Sequence, residues 1–319
     1  MRTFRTTRTK VLALALAFVL AVPALTPVGA QSGTAQPAQR AVSQAANASS
    51  EEADKLHVVL LVFGHKGGIS AACQKDCKAL KAALEAAFAD DVERLVIHDL
   101  SVKNPKTGKV HTTNETLEVI KGLKVGNNDN VLVFQSGHGG IGDRNNPEMS
   151  HRLLMDGGSL TRAQIQRPIE ARKPRGLISL TDCCSGISKK SGGRPAPEQV
   201  SVVDANLDTI RNLTLRPRGV VSITAAEDGK LASASFRGAN PAKAGSAFTV
   251  AMLRLWYNDV TYTSWVQFFP ALKAETRLAS GGRHAARAFQ LRDGSVAAAV
   301  LNIAPPRIGV PLWRFDPWR

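Results

Sequence analysis

Val131-Leu132-Val133-Phe134-Gln135-Ser136-Gly137-His138-Gly139-Gly140 sets an apolar run directly against a polar, glycine-rich exit that carries a histidine. A continuous apolar run without alternation is what a strand buried on both faces requires. Such strands belong to parallel sheets covered by helices. In those sheets functional groups gather beyond the carboxyl ends, where glycine lets the backbone approach a ligand. A second stretch of the same kind follows, in which Leu177-Ile178-Ser179-Leu180 runs into Thr181-Asp182-Cys183-Cys184-Ser185-Gly186. A histidine and a cysteine placed at two such ends can meet across neighbouring strands.

Working outward, apolar runs alternate with amphipathic ones. His57 to Phe63 and Leu95 to His98 read as strands, Ala71 to Phe88 and Asn114 to Leu123 as helices, and a further helix is expected at about Thr161 to Arg172. This order predicts an α/β fold, a three-layer α/β/α sandwich with a mostly parallel sheet. Lys189 to Pro217 breaks the pattern with Gly192-Gly193, Pro195 and Pro197 and reads as a long mobile loop. The sheet resumes at Gly219 to Thr224, and Ser246 to Tyr257 and Ser264 to Leu278 read as helices, the first behind a Gly-Ser cap signal. The domain is expected over 56–293. A C-terminal extension, 294–319, with Trp313, Phe315 and Trp318, is expected to pack back on the sheet.

Residues 1–30 carry Arg2, Arg5, Arg8 and Lys10, then the apolar run Val11 to Val22, then Val28-Gly29-Ala30. That is the pattern of a secretory signal peptide, so the chain is expected to be exported, periplasmic or secreted. The apolar run is shorter than the roughly 20 residues of a spanning helix, and no later stretch is long and apolar enough to span. Residues 31–55 are rich in Ala, Ser and Gln without periodicity and read as a disordered linker. The net charge of +15 falls by the four basic residues of the leader to +11. Such a surplus suits an anionic neighbour, but aromatics are only 5% of residues and do not interleave with the basic ones, so nucleic acid is not the expected partner.

Four cysteines in an exported chain raise the question of disulfides. Cys73 and Cys77 would lie one helical turn apart and Cys183 and Cys184 are adjacent, both poor geometries for a bridge, while a long-range bridge such as Cys77 to Cys183 stays open. C-x-x-C spacing with a neighbouring histidine is missing, which argues against zinc. No G-x-S-x-G elbow is present for a serine nucleophile. A thiol with an unperturbed pKa near 8.5 needs an imidazole to take its proton and backbone N–H groups to hold the oxyanion.

An apolar strand ending in Ser-Gly-His-Gly, followed by another ending in Asp-x-Cys, resembles the caspase-like superfamily of cysteine peptidases, metacaspases most of all. The resemblance runs from about Leu56 to Leu278, and Ser222-Ile-Thr-Ala-Ala226 and Gly245-Ser-Ala-Phe-Thr249 extend it past the nucleophile. It implies a caspase-hemoglobinase-like fold, His138 as general base, Cys184 as nucleophile, and the N–H groups of Gly139 and Cys184 as oxyanion donors. It also implies that Cys73, Asp76, Ser136 and Asp182 line the pocket for the residue before the cut bond. Two carboxylates there select Arg or Lys.

Asp-Cys-Cys-Ser-Gly is one residue shorter than the usual metacaspase Asp-x-Cys-x-Ser-Gly. Aligning from Ser185-Gly186 would make Cys183 the nucleophile and set Thr181 where the acid belongs; Cys184 is the preferred assignment. Calcium-dependent metacaspases use several Asp residues, and here Asp143 and Asp156 make a thin set for an ion that takes six to eight oxygens, so no cofactor is expected.

The expectation is a monomeric endopeptidase cutting protein or peptide substrates after Arg or Lys through a thioester. The alternative is a catalytically silent caspase-like domain that binds peptide or an anionic cell-envelope partner. Self-cleavage is expected in the long loop, at Lys189, Lys190, Arg194, Arg211 or Arg216. A low-pKa thiolate would also make activity rise on reduction.

Overall fold

A computed structural model of the chain describes residues 52–63, 70–143, 145–146, 148–155, 158–184, 206–227, 230, 232, 234–235 and 245–291. In chain order the elements are β1 (Leu56–Phe63), α1 (Ser70–Ala87), β2 (Leu95–Leu100), α2 (Thr113–Gly122), β3 (Asn130–Gly137), β4 (Gly139–Ile141), β5 (His151–Met155) and β6 (Gly158–Thr161). There follow α3 (Arg162–Glu170), β7 (Gly176–Cys183), α4 (Leu207–Leu215), β8 (Gly219–Thr224), β9 (Ala234–Ser235), β10 (Gly245–Ser246), α5 (Ala247–Trp256), α6 (Trp265–Ala279) and β11 (Arg287–Leu291).

The central sheet has six strands in the order β11-β8-β7-β3-β1-β2. All pair in parallel except β11, which runs antiparallel to β8. Both faces are buried, as unbroken apolar strands demand. Val58, Leu60, Leu132, Phe134, Ile178 and Ile223 pack against α1, α4, α5 and α6, while Val59, Leu61, Val133 and Leu177 pack against α2, α3, β5 and β6. That is the expected three-layer arrangement.

Local signals start the helices. Thr112 and Glu115 form a reciprocal capping box on α2, and Thr161 and Gln164 form another on α3. Asn206, Ser246 and Ser264 cap α4, α5 and α6. Each such side chain is worth about 1 kcal/mol to its helix.

Two sequence expectations need correction, and one segment went unread. The loop expected over 189–217 ends in α4. Asn206 caps that helix, and Ile210 and Leu213 are buried on one face, a helical spacing that the neighbouring glycines and prolines masked. Packing also begins before Leu56, because Ala53 is fully buried and its N–H donates to the Leu215 carbonyl at 2.8 Å. Finally, residues 139–161 hold a three-stranded antiparallel sheet, β4-β5-β6, whose strands are too short to announce themselves by alternation. The leader expected over 1–30, most of the linker expected over 31–55 and the extension expected over 294–319 lie outside the described residues.

Candidate active site

β3 and β7 end side by side. Ser136 pairs with Asp182 and Gly137 with Cys183, so the next residue on each strand is His138 and Cys184. Neighbouring strands lie about 4.8 Å apart, which sets these two residues at one level of the sheet's carboxyl edge. Side chains alternate along β7. Asp182 faces the α1 and α5 layer, Cys183 faces the opposite core, and the Cys184 thiol turns back to the Ala232 carbonyl, 3.9 Å away, on the α1 and α5 side.

The two cysteines therefore differ in access. Cys183 is 1% exposed, and its sulfur lies 3.2 Å from His151 Nε2. The backbone of Gly139 presses on it: a Cβ there would come within 2.7 Å of the Arg152 carbonyl and closer still to the Cys183 sulfur, so only glycine fits. Burial holds the Cys183 thiol well above its ordinary value. Cys184 is half-buried, and burial raises its thiol too, opposed by its bond to Ala232. A resting thiolate is not favoured at either position, which corrects the expectation of a low-pKa nucleophile.

All four cysteines are free thiols. The bridge left open between Cys77 and Cys183 is not formed, and the two belong to cores on opposite faces of the sheet.

The four pocket residues read from sequence converge. Cys73 and Asp76 come from α1, Ser136 from β3 and Asp182 from β7. The Ser136 hydroxyl donates to Asp76 at 3.3 Å, and Ser136 also bonds the Cys73 thiol. Two residues missed by the sequence reading complete the cluster. Ser246 donates its N–H to Asp76 at 3.2 Å and its hydroxyl to Asp182, while the Thr249 hydroxyl donates to Asp182 at 2.6 Å. The signal was the Ser-x-x-Thr spacing at the start of α5, legible as a cap but not as a ligand for a carboxylate.

Asp76 is 2% exposed and Asp182 3%. Burial raises both carboxyls, and the charge of Asp182 raises Asp76 further. Asp182 is pushed up to about 6, against the opposing pull of its bonds to Ser246 and Thr249. Burial and nearby carboxylate charge also push the Cys73 thiol upward. Among the described residues, no hydrogen bond or ion pair joins a basic side chain to Asp182, and the charge of Lys75 acts on Asp76.

His138 is half-buried, and loss of water around the ring lowers its pKa. Its carbonyl accepts the Leu154 N–H at 3.0 Å, which ties the residue to β5. Among the described residues its ring hydrogen-bonds none, and the structure does not join it to the Cys184 sulfur. Gly139, the other expected oxyanion donor, follows His138 at the start of β4 and pairs with Leu153. Of the two carboxylates weighed for calcium, Asp143 accepts the Asn145 N–H at 2.9 Å, and Asp156 lies outside the described residues.

No protein-family model matches the chain. No curated protein matches it significantly.

Proposed function

We propose that the chain is a cysteine endopeptidase of the caspase-like kind that cuts after Arg or Lys. One observation carries this reading: two buried carboxylates from distant parts of the chain meet at the carboxyl edge of the sheet, beside a half-buried thiol and a histidine on adjacent strand ends. A guanidinium or ammonium entering between Asp76 and Asp182 replaces a like-charge repulsion with two charge-assisted contacts.

In this mechanism the bound cation anchors the substrate so that the next carbonyl faces Cys184. The thiol proton passes to His138 as the Cys184 sulfur attacks, and the oxyanion is held by the N–H groups of Gly139 and Cys184. Collapse expels the amine with the proton from His138 and leaves a thioester. Water, deprotonated by the same imidazole, then releases the acid and restores the thiol. A neutral imidazole beside a neutral thiol suits this sequence, in which the proton moves during attack.

One observation favours the silent alternative. The Cys184 thiol is turned to the Ala232 carbonyl and not to His138. A peptide-binding domain without turnover would keep the pocket and lack the working dyad, although catalytic hydrogen bonds often tighten only when substrate binds.

Self-cleavage narrows to fewer positions. Arg211 lies inside α4 with its guanidinium on Asp91, and Arg216 is the helix C-cap, so neither offers the extended backbone a peptidase needs. Lys189, Lys190 and Arg194 lie outside the described residues.

Short fluorogenic peptides ending in Arg, Lys, Asn or Asp test the reading. Hydrolysis confined to the Arg and Lys peptides supports it. Binding of Arg peptides without hydrolysis supports the silent domain, and preference for Asp or Asn rejects the pocket.

A further inference from the structure

Ser246 makes three hydrogen bonds at one point of the fold. Its N–H donates to Asp76 Oδ1 at 3.2 Å, its hydroxyl donates to Asp182 Oδ2, and the same oxygen accepts the Thr249 N–H at 3.0 Å. It is the N-cap of α5, so the positive end of a ten-residue helix points at both carboxylates. Gly245 before it is buried, and a Cβ there would stand 3.3 Å from Asp76 Oδ1, so the chain enters the helix directly against the carboxyl group. An N-cap serine needs only its bond to the third residue of the helix. The two further bonds, to acids on α1 and β7, are surplus to capping.

We propose that Ser246 is a specificity-determining positioning residue that holds Asp76 and Asp182 together as one cation-binding unit. The inference rests on the reading of these acids as the pocket for Arg or Lys. Ser246 does not touch the scissile bond; it acts through the acids. With the hydroxyl present, Asp182 has a donor aimed at one oxygen, which favours the charged form that binds a cation. Without it, Asp182 keeps the Thr249 hydroxyl but loses its link to Asp76.

Among the described residues the other groups that act on the pair come from four elements. From α1 they are the Cys73 and Cys77 thiols, both raised by burial, and Lys75, whose charge acts on Asp76. β3 contributes the uncharged Ser136 and β7 contributes Cys184, raised by burial, while Cys183 faces the opposite core. Asp99 on β2 acts on Cys77 and is paired with Lys81. α5 offers the pair the uncharged Ser246 and Thr249.

Ser246→Gly isolates the effect. Glycine is a fair N-cap and keeps the N–H that Asp76 accepts, so the helix start survives and the hydroxyl alone is lost. The acid limb of kcat/KM for an Arg peptide should move up by about one pH unit, with a roughly fivefold loss near pH 6, approaching about tenfold at lower pH and nearly vanishing at pH 8. Ser246→Thr, which restores a hydroxyl, should return the limb. Titration of carboxyl-labelled aspartates by NMR should show the same upward shift of Asp182 without any substrate. If wild-type protein hydrolyses no Arg peptide, the functional reading fails while the NMR titration still tests Ser246. An Asp182 titration that is unchanged in Ser246→Gly, or an activity loss equal at every pH and not restored by Ser246→Thr, overturns the inference.

Discussion

Asp76 and Asp182 are both hydrogen-bonded to Ser246, the first through its N–H and the second through its hydroxyl. Two like charges drawn into one buried place are a cost to the folded chain, and proteins accept such costs where a ligand offsets them. The carboxyl pair thus ties the stability of the domain to its proposed specificity.

Removing one charge should separate those two properties. Asp182→Asn is expected to lower kcat/KM for Arg and Lys peptides about thirtyfold or more, the usual result of losing one partner of a buried charge contact. The same change should raise thermal stability at pH 8. Asp182 has a folded pKa near 6, above its ordinary 3.8, so its favourable share of stability is present below the lower value and is lost as pH climbs through about 6. The asparagine variant escapes that loss, on the order of 2 to 3 kcal/mol. Its advantage in melting temperature over wild type should therefore shrink toward pH 4. A variant that is less stable than wild type at pH 8 would contradict this.

The pH profile follows from the same group. Binding a cation needs Asp182 ionised, and activity should rise as pH passes about 6. Loss of water around the ring lowers the His138 pKa, and the Cys184 thiol, raised by burial, adds no acid limb. For Arg peptides kcat/KM should show an acid limb set by the pocket, to which Asp182 contributes and Asp76, also raised, adds. In Asp182→Asn that limb should flatten. A limb that is identical in the variant would assign it to another group.

Nucleophile substitutions give a sharp contrast. Cys184→Ala and His138→Ala should each abolish hydrolysis and leave the melting temperature nearly unchanged, because both side chains are only half-buried. Cys183→Ala should do the reverse. It removes a fully buried sulfur packed on His151 and Gly139, at about 1 to 2 kcal/mol of stability, and keeps most activity. Activity lost in Cys183→Ala and kept in Cys184→Ala would move the nucleophile by one residue.

Gly139→Ala should be damaging without touching any proposed catalytic side chain. Its methyl group would collide with the Cys183 sulfur and the Arg152 carbonyl, and relief requires moving the backbone that follows His138. A fall in kcat of at least about tenfold, larger than the change in KM, is the expected outcome. Wild-type kinetics in this variant would show that the position of this backbone is immaterial.

Much of this was written in the order of residues. Val131 to Gln135 and Leu177 to Leu180 are apolar without alternation because both faces of those strands are buried, and that pattern identifies the sheet and its carboxyl edge. The gathering of Asp76 with Asp182 was reached from sequence only through resemblance, since no local pattern links a helix to a strand so far along the chain. α4 went unread because Pro195, Pro197 and the glycines before it dominate the composition around Leu207 to Leu215. Ser246 was legible as a cap, but its bonds to two distant acids depend on tertiary placement. The separation of Cys183 from Cys184 follows from alternation along β7, yet which of them faces the pocket depends on the packing of α1 and α5.

The central claim is that Cys184 attacks a carbonyl delivered by a basic side chain in the Asp76–Asp182 pocket. An irreversible peptidyl ketone ending in Arg, matched against one ending in Asp, reads this directly by mass spectrometry of the labelled chain. The account predicts one adduct per chain, on Cys184, formed with the Arg reagent, much slower with the Asp reagent, and lost in His138→Ala and Asp182→Asn. Equal labelling by both reagents, or labelling of Cys183, would contradict it.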